Sequence, residues 1–409
     1  MKAITTVSSL LLSAALVLIG HGMAMTLIPL RAQGNGLSDS LIGLSASAYY
    51  LGFIMGCLYI PALIARVGHI RCFSVVIAVV ICTTLLLDMF ESWLLWIMLR
   101  FFIGAAVCGL YTVIESWLNS QATTESRGRI LAVYTCITLT AMTLGQLLIN
   151  VGPISSSTPF TLSVIFLALA IIPIGMTRKI APTPVEVTRF RLTALYHRSH
   201  SAFAGAILSG VVVGSFWSLG AVFSRHYSQS TADITWFMTA AIAGGAIFQY
   251  PIGWLSDRVD RRYVIIGLCA LGALSACAVA VSIHQWWHLY AVFLFGASVM
   301  PIYAISLATA ADVCSDCDFV EVGSSVLMLN ALGSFVAPLI IGPLMSMASA
   351  TMLFWSASVL CSLFGVYLLV QLREDRAVSV EEQATFNAAV PEVAPASFDM
   401  DPRGLEATS

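Results

Sequence analysis

Twelve apolar runs, each long enough to cross a bilayer, constrain this chain more than any other feature. They cover residues 7–30, 40–64, 72–90, 93–119, 130–150, 160–177, 201–224, 233–255, 263–283, 288–311, 324–347 and 350–371. A membrane helix needs about 20 mainly apolar residues to span the hydrocarbon core. Inside lipid the backbone must satisfy its own hydrogen bonds, so each run is predicted to be a helix. The breaks carry turn chemistry, as in "RAQGNGLSDS" at 31–40 and "VGPISSSTP" at 151–159. Composition agrees. The chain is 59% apolar and 10% charged, against roughly 25% charged in a soluble domain, so water cannot be its only solvent. The predicted class is an all-α integral membrane protein with twelve transmembrane helices in two pseudo-symmetric six-helix bundles.

Lysine and arginine bias in the short loops predicts the orientation. With both termini cytoplasmic, Arg31 and Arg225 lie outside, Arg100 lies within a span, and the other Lys and Arg residues of the nineteen lie inside. Trp93, Trp96, Trp286 and Trp287 then fall at outer helix ends, where indoles favour the interface. No small-residue cleavage site follows the first run, which is therefore expected to be a retained span and not a signal peptide. Residues 177–200 carry five Lys/Arg and one acid, Glu186, and are read as a cytoplasmic linker between bundles 1–176 and 201–371. Residues 372–409 carry eight acids against three arginines, the composition of a disordered acidic cytoplasmic tail. A net charge of −2 without a basic face argues against nucleic acid. The ten cysteines lack the spacing of a disulfide framework, and the Cys314–Cys317 pair has no companion ligands, so no metal or cofactor is expected.

The chain also repeats itself. A shift of 192 residues superposes Gly22 on Gly214, Gly52 on Gly244, Leu63 on Leu255, Arg66 on Arg258, Val67 on Val259, Gly104 on Gly296 and Tyr111 on Tyr303. The same shift maps runs 1–6 onto runs 7–12, and six spans per copy keep both copies in one orientation, as parallel repeats require. The segment "GWLSDRVDRR", Gly253 to Arg262, with "PALIARVGHI" at 61–70 and "RFFIGAAVCG" at 100–109, resembles the signatures of the major facilitator superfamily. In the first loop Asp260 replaces the family's second glycine, and in the second Ala65 replaces its aspartate. Span 5 reads "LTLGQLLIN" where drug antiporters of the family often carry a Gly-Pro motif, which weakens that assignment. "ESWLN" and "SRGRILAVY" resemble a bacterial branch with mostly unassigned substrates. The resemblance implies two bundles rocking about a central cavity, in a bacterial inner membrane.

Several residues stand out against the apolar background. Arg100 either snorkels to outer headgroups or faces the cavity as a proton-relay or substrate-anion contact, the role that the family motif implies. Glu115 either pairs with Arg66 or Arg71 as an inner gate or carries a proton. His21 sits between Gly20 and Gly22, glycines that weaken a helix where a cavity could form, and it is either a proton carrier or a core histidine. Tyr49, Tyr50, Gln146, Trp217, Gln249 and Asn330 are polar tips in apolar spans, some expected to line the cavity and others to bridge helices. Arg66, Gly68, Arg71, Gly253, Asp257, Arg258, Arg261 and Arg262 are either the charges of positive-inside topology alone or a cytoplasmic gate, the reading that the aspartate among the arginines favours, with Asp257 expected to brace span 8 against the start of span 11. No phosphate-cradling sequence or catalytic set is present. The expectation is a monomeric, proton-coupled secondary transporter of a small solute, not an enzyme. An uncoupled facilitator and a transporter-like receptor or scaffold are the alternatives.

Overall fold

The structure is a computed structural model that describes residues 2–122, 127–176, 190–313 and 319–372, with Gln383, Phe386 and Ala389 of the tail. Among these residues twelve helices are long and apolar enough to cross a membrane. We number them spans 1–12: Val7–Gly34, Asp39–Val67, His69–Met89, Trp93–Gln121, Arg129–Val151, Thr158–Gly175, His200–Tyr227, Thr231–Ser256, Arg261–Val281, His288–Asp312, Phe319–Met347 and Met352–Gln371. Two spans are broken where the sequence shows a single run. Span 6 divides at Ala170, and span 10 divides at Met300, just before Pro301. Proline lacks an N–H and crowds the carbonyl four residues earlier, which accounts for the second break. A short helix, Leu192–Arg198, lies in the linker. Cys314 and Cys317 lie outside the described residues.

The 192-residue repeat returns as helix packing. A Cβ on Gly52 would come 1.9 Å from the Phe101 carbonyl oxygen, and one on Gly244 would come 2.0 Å from that of Phe293. A Cβ on Gly104 would lie 1.9 Å from the Tyr49 oxygen, and one on Gly296 would lie 1.9 Å from the Ala241 oxygen. Each second-half partner is the first-half partner moved along by the same offset. Spans 2 and 4 therefore cross in the register of spans 8 and 10. Lipid supplies no hydrophobic drive between helices, so close backbone approach at small residues holds such crossings.

We call the side bearing the linker the linker face. At the opposite face the two halves are sealed together. His226 at the end of span 7 lies 3.1 Å from the Asp39 carboxylate at the start of span 2. The Ser40 N–H donates to Ser346 Oγ at 3.0 Å, and Gln33 Nε2 reaches the Val222 carbonyl at 3.5 Å. Below them Gly43 packs on the Pro338 carbonyl, leaving 2.3 Å for a Cβ. Within the first half Arg31 pairs with Asp88 and lies over the Phe160 ring. Trp96 is not the interface anchor expected of it. It is 1% exposed, and its Nε1–H donates to the Phe90 carbonyl at 2.5 Å.

The linker face holds the charged loops, with two departures from expectation. Among the described residues the partners of Asp257 are Arg261 and Phe386, not span 11. Asp257 pairs with Arg261 at 2.9 Å, and Arg261 grips Asp312 at the end of span 10 through two contacts of 2.6 Å. Both Asp312 oxygens are met by one nitrogen, Nη1, while Nη2 donates to Asp257. Arg262 instead closes on Asp260 at 2.5 Å, the residue that stands in for the family glycine. Arg258 lies over the Trp254 ring at 3.7 Å, and Gly68 takes φ +84 where span 2 turns into span 3, a conformation glycine adopts without strain. The second departure is in the tail. Phe386 packs its ring on Gly253 and donates its N–H to Asp257 Oδ1 at 2.9 Å, so this residue is docked, not solvated. Across the halves Arg191 of the linker pairs with Glu321 of span 11 at 2.5 Å.

Candidate substrate cavity

A central cavity lies between the halves, walled by His21 and Met25 of span 1, Tyr49 and Tyr50 of span 2, Trp217 of span 7 and Asn330 of span 11. Its volume is about 50 Å³, room for a few waters. A larger solute requires the halves to part. The glycines beside His21 do not break span 1, which runs as continuous helix. Gly20 lies against the Ser163 carbonyl and Gly22 against Met142, so they let spans 5 and 6 close on the helix and fix where the imidazole sits. Tyr49 O–H lies 3.2 Å from His21 Nε2, and the His21 and Tyr49 rings are stacked with centroids 5.9 Å apart.

Arg100 is buried, with 3% exposure, and its guanidinium carbon stands 4.6 Å from the centroid of the Tyr49 ring. Snorkelling to headgroups is thereby excluded. The side chain lies one ring behind the cavity wall, since Tyr49 lines the cavity and Arg100 is behind it. The Arg-x-x-x-Gly pattern has a direct physical meaning here. Gly104 lets span 4 press on the Tyr49 backbone, and one turn earlier along the same helix face Arg100 meets the Tyr49 ring.

The other candidates separate from this group. Glu115 is 0% exposed and accepts from Tyr134 O–H at 2.9 Å. Neither Arg66 nor Arg71 forms an ion pair with it among the described residues, so the expected gate pairing is absent. Gln146 bridges spans 5 and 1, donating to the Gly22 carbonyl at 3.0 Å and accepting from Thr26 Oγ1 at 2.6 Å. Gln249 donates to the Ala389 carbonyl at 2.8 Å. Neither glutamine lines the cavity. Sequence reasoning overlooked Tyr111 and Ser334 in the wall, Tyr134 beside Glu115, and the seal formed by Asp39 and His226. Only Tyr111 left a signal, as a member of the repeat.

Two like-oriented six-helix halves, sealed at one face around a central cavity, define a membrane transporter of the alternating-access architecture. The sequence profile of the Major Facilitator Superfamily matches residues 10–199 and 202–398, and the chain belongs to that superfamily. It is 28% identical over 377 residues to the uncharacterized MFS-type transporter Ent638_1421 of Enterobacter sp. (strain 638), covering 89% of this chain and 95% of that one. It is 29% identical over 387 residues to the uncharacterized MFS-type transporter YcaD of Escherichia coli O139:H28, covering 91% and 97%. Among solved structures, the nucleoside transporter NupG aligns with a TM-score of 0.73 at 11% identity, over 90% of this chain and 99% of that one. A bacterial homolog of the human lysosomal transporter Spinster, in an inward-facing and occupied conformation, aligns with a TM-score of 0.72 at 14% identity, over 92% and 97%. These likenesses establish the fold.

Proposed function

We propose that this protein is a proton-coupled secondary transporter moving a small solute across a bacterial inner membrane by alternating access, as a monomer with both termini cytoplasmic. The observation that carries this reading is the central cavity between the halves, covered at the face opposite the linker by the Asp39–His226 and Ser40–Ser346 contacts. With the positive-inside orientation, that sealed face is the outer one, and exchange occurs on the cytoplasmic side. Outward opening must break the seal and separate Gly43 from Pro338. Proton coupling rests on His21 and Glu115, ionisable groups held 3% and 0% exposed within spans, since such groups in a membrane interior mark proton or substrate paths. The Asp257–Arg261–Asp312 chain ties spans 8, 9 and 10 at the linker face and acts as the gate of the second half.

The test is uptake of a solute library into proteoliposomes, with and without an imposed pH gradient. Accumulation that collapses with the gradient supports coupling. Equilibration indifferent to it identifies an uncoupled facilitator. Flux that survives removal of residues 377–409 opposes a scaffold acting through its tail.

A further inference from the structure

The cavity wall presents hydrogen-bond donors and no carboxylate. One imidazole stands there among tyrosines, apolar residues and an amide. Two buried donors in the wall lack acceptors, and a buried guanidinium stands behind it. Arg100 makes no ion pair and no hydrogen bond among the described residues, and its charge meets the Tyr49 ring and the Tyr50 side chain. Asn330 Nδ2 is buried without a partner, and so is His21 Nδ1. When Tyr49 O–H donates to His21 Nε2, the other ring nitrogen carries the hydrogen, so Nδ1–H is a donor. A guanidinium keeps its charge wherever it is buried, and a buried charge or donor without an acceptor is costly to leave unmet.

We infer that the missing acceptor is the substrate, and that the cavity takes a monovalent organic anion, a carboxylate with an apolar or aromatic body. This deepens the transport reading and rests on it. The carboxylate sits between His21 and Asn330, with Arg100 behind Tyr49. The body lies against Trp217, Tyr50 and Met25, residues of the same wall. One permanent positive charge matches one negative charge, whereas a dianion would enter half-neutralised. Direct contact with Arg100 is not required. For a charge separation on the order of 8 Å and an effective dielectric near 20, such a field would favour an anion over a neutral isostere by roughly thirty-fold in affinity. An organic cation would be disfavoured by a similar factor.

The experiment uses full-length protein in nanodiscs and calorimetric titration with benzoate against benzamide, and with phenylacetate against phenylacetamide. The acids are expected to bind at least about ten-fold more tightly than their amides. Arg100→Gln should bring each ratio to within about twofold, while Arg100→Lys, which keeps the charge, should retain most of it. Asn330→Ala should weaken the acids. Gel filtration and thermal unfolding check that each variant is folded. Equal binding of acid and amide, no binding by either pair, or a ratio unchanged in Arg100→Gln would overturn the inference. Counterflow in proteoliposomes separates the two readings. Acid binding without flux overturns transport and leaves the anion site, whereas flux without charge preference overturns the anion site and leaves transport.

Discussion

Gly104→Ala tests the packing that places the guanidinium. The added methyl would lie 1.9 Å from the Tyr49 carbonyl oxygen, 2.8 Å from its carbon and 3.0 Å from the Phe53 nitrogen. All three are backbone atoms, so no rotamer change relieves the clash. Spans 2 and 4 must move apart until the 1.9 Å contact exceeds 3.0 Å, the shortest approach a real Cβ tolerates. Overpacking of this kind costs about 1–3 kcal/mol, against a gain of up to about 1 kcal/mol from alanine's better helix propensity. The clash wins. Gly296→Ala meets the same geometry at the Ala241 carbonyl and should cost as much. Gly267→Ala on span 9 is the control, because nothing stands within 4 Å of its Cβ. The assay is thermal unfolding in one detergent, followed by intrinsic fluorescence. Gly104→Ala and Gly296→Ala should lower the midpoint together, while Gly267→Ala leaves or raises it. Gly104→Ala should also disturb the cavity through Tyr49, which Gly296→Ala cannot do. A Gly104→Ala protein as stable as wild type would refute the account of the Arg-x-x-x-Gly pattern.

Three further outcomes follow from the same contacts. Asp312→Ala removes the main partner of Arg261, which is 1% exposed, and should cost about 3–5 kcal/mol, less whatever Asp257 recovers. Replacing both partners by Leu and Met should restore most of the loss in a denaturation series. Asp39→Ala loosens the seal between spans 2 and 7. Spin labels at Gly34→Cys and Gln229→Cys in a cysteine-free background should show a longer-distance population increased about fivefold, the equivalent of about 1 kcal/mol for a part-exposed pair. An unchanged distance distribution would remove this pair from the gate. Glu115→Gln keeps an acceptor for Tyr134 but cannot release a proton. Gradient-driven accumulation should fall while counterflow persists, and accumulation equal to wild type excludes Glu115 as a carrier.

Span number, fold class and the repeat were legible in the linear chain because each is a local or periodic property. About 20 apolar residues make a span wherever they lie, and Gly52, Gly104, Gly244 and Gly296 recur at one offset because the same crossing occurs twice. Arg100 announced itself in the same way, as a charge in an apolar run.

Which partners such residues meet is a different kind of information. Arg100 lies over Tyr49, fifty-one positions earlier, and Arg261 grips Asp312, fifty-one positions later. Glu115 takes a tyrosine hydroxyl instead of the loop arginines. Gln146 and Asn330 look alike as polar tips in apolar spans, yet one ties two helices together and the other faces the cavity. Helix rotation, crossing register and the closed state of one face separate them. Those are settled by packing among all twelve spans, and a single helix carries no record of its neighbours.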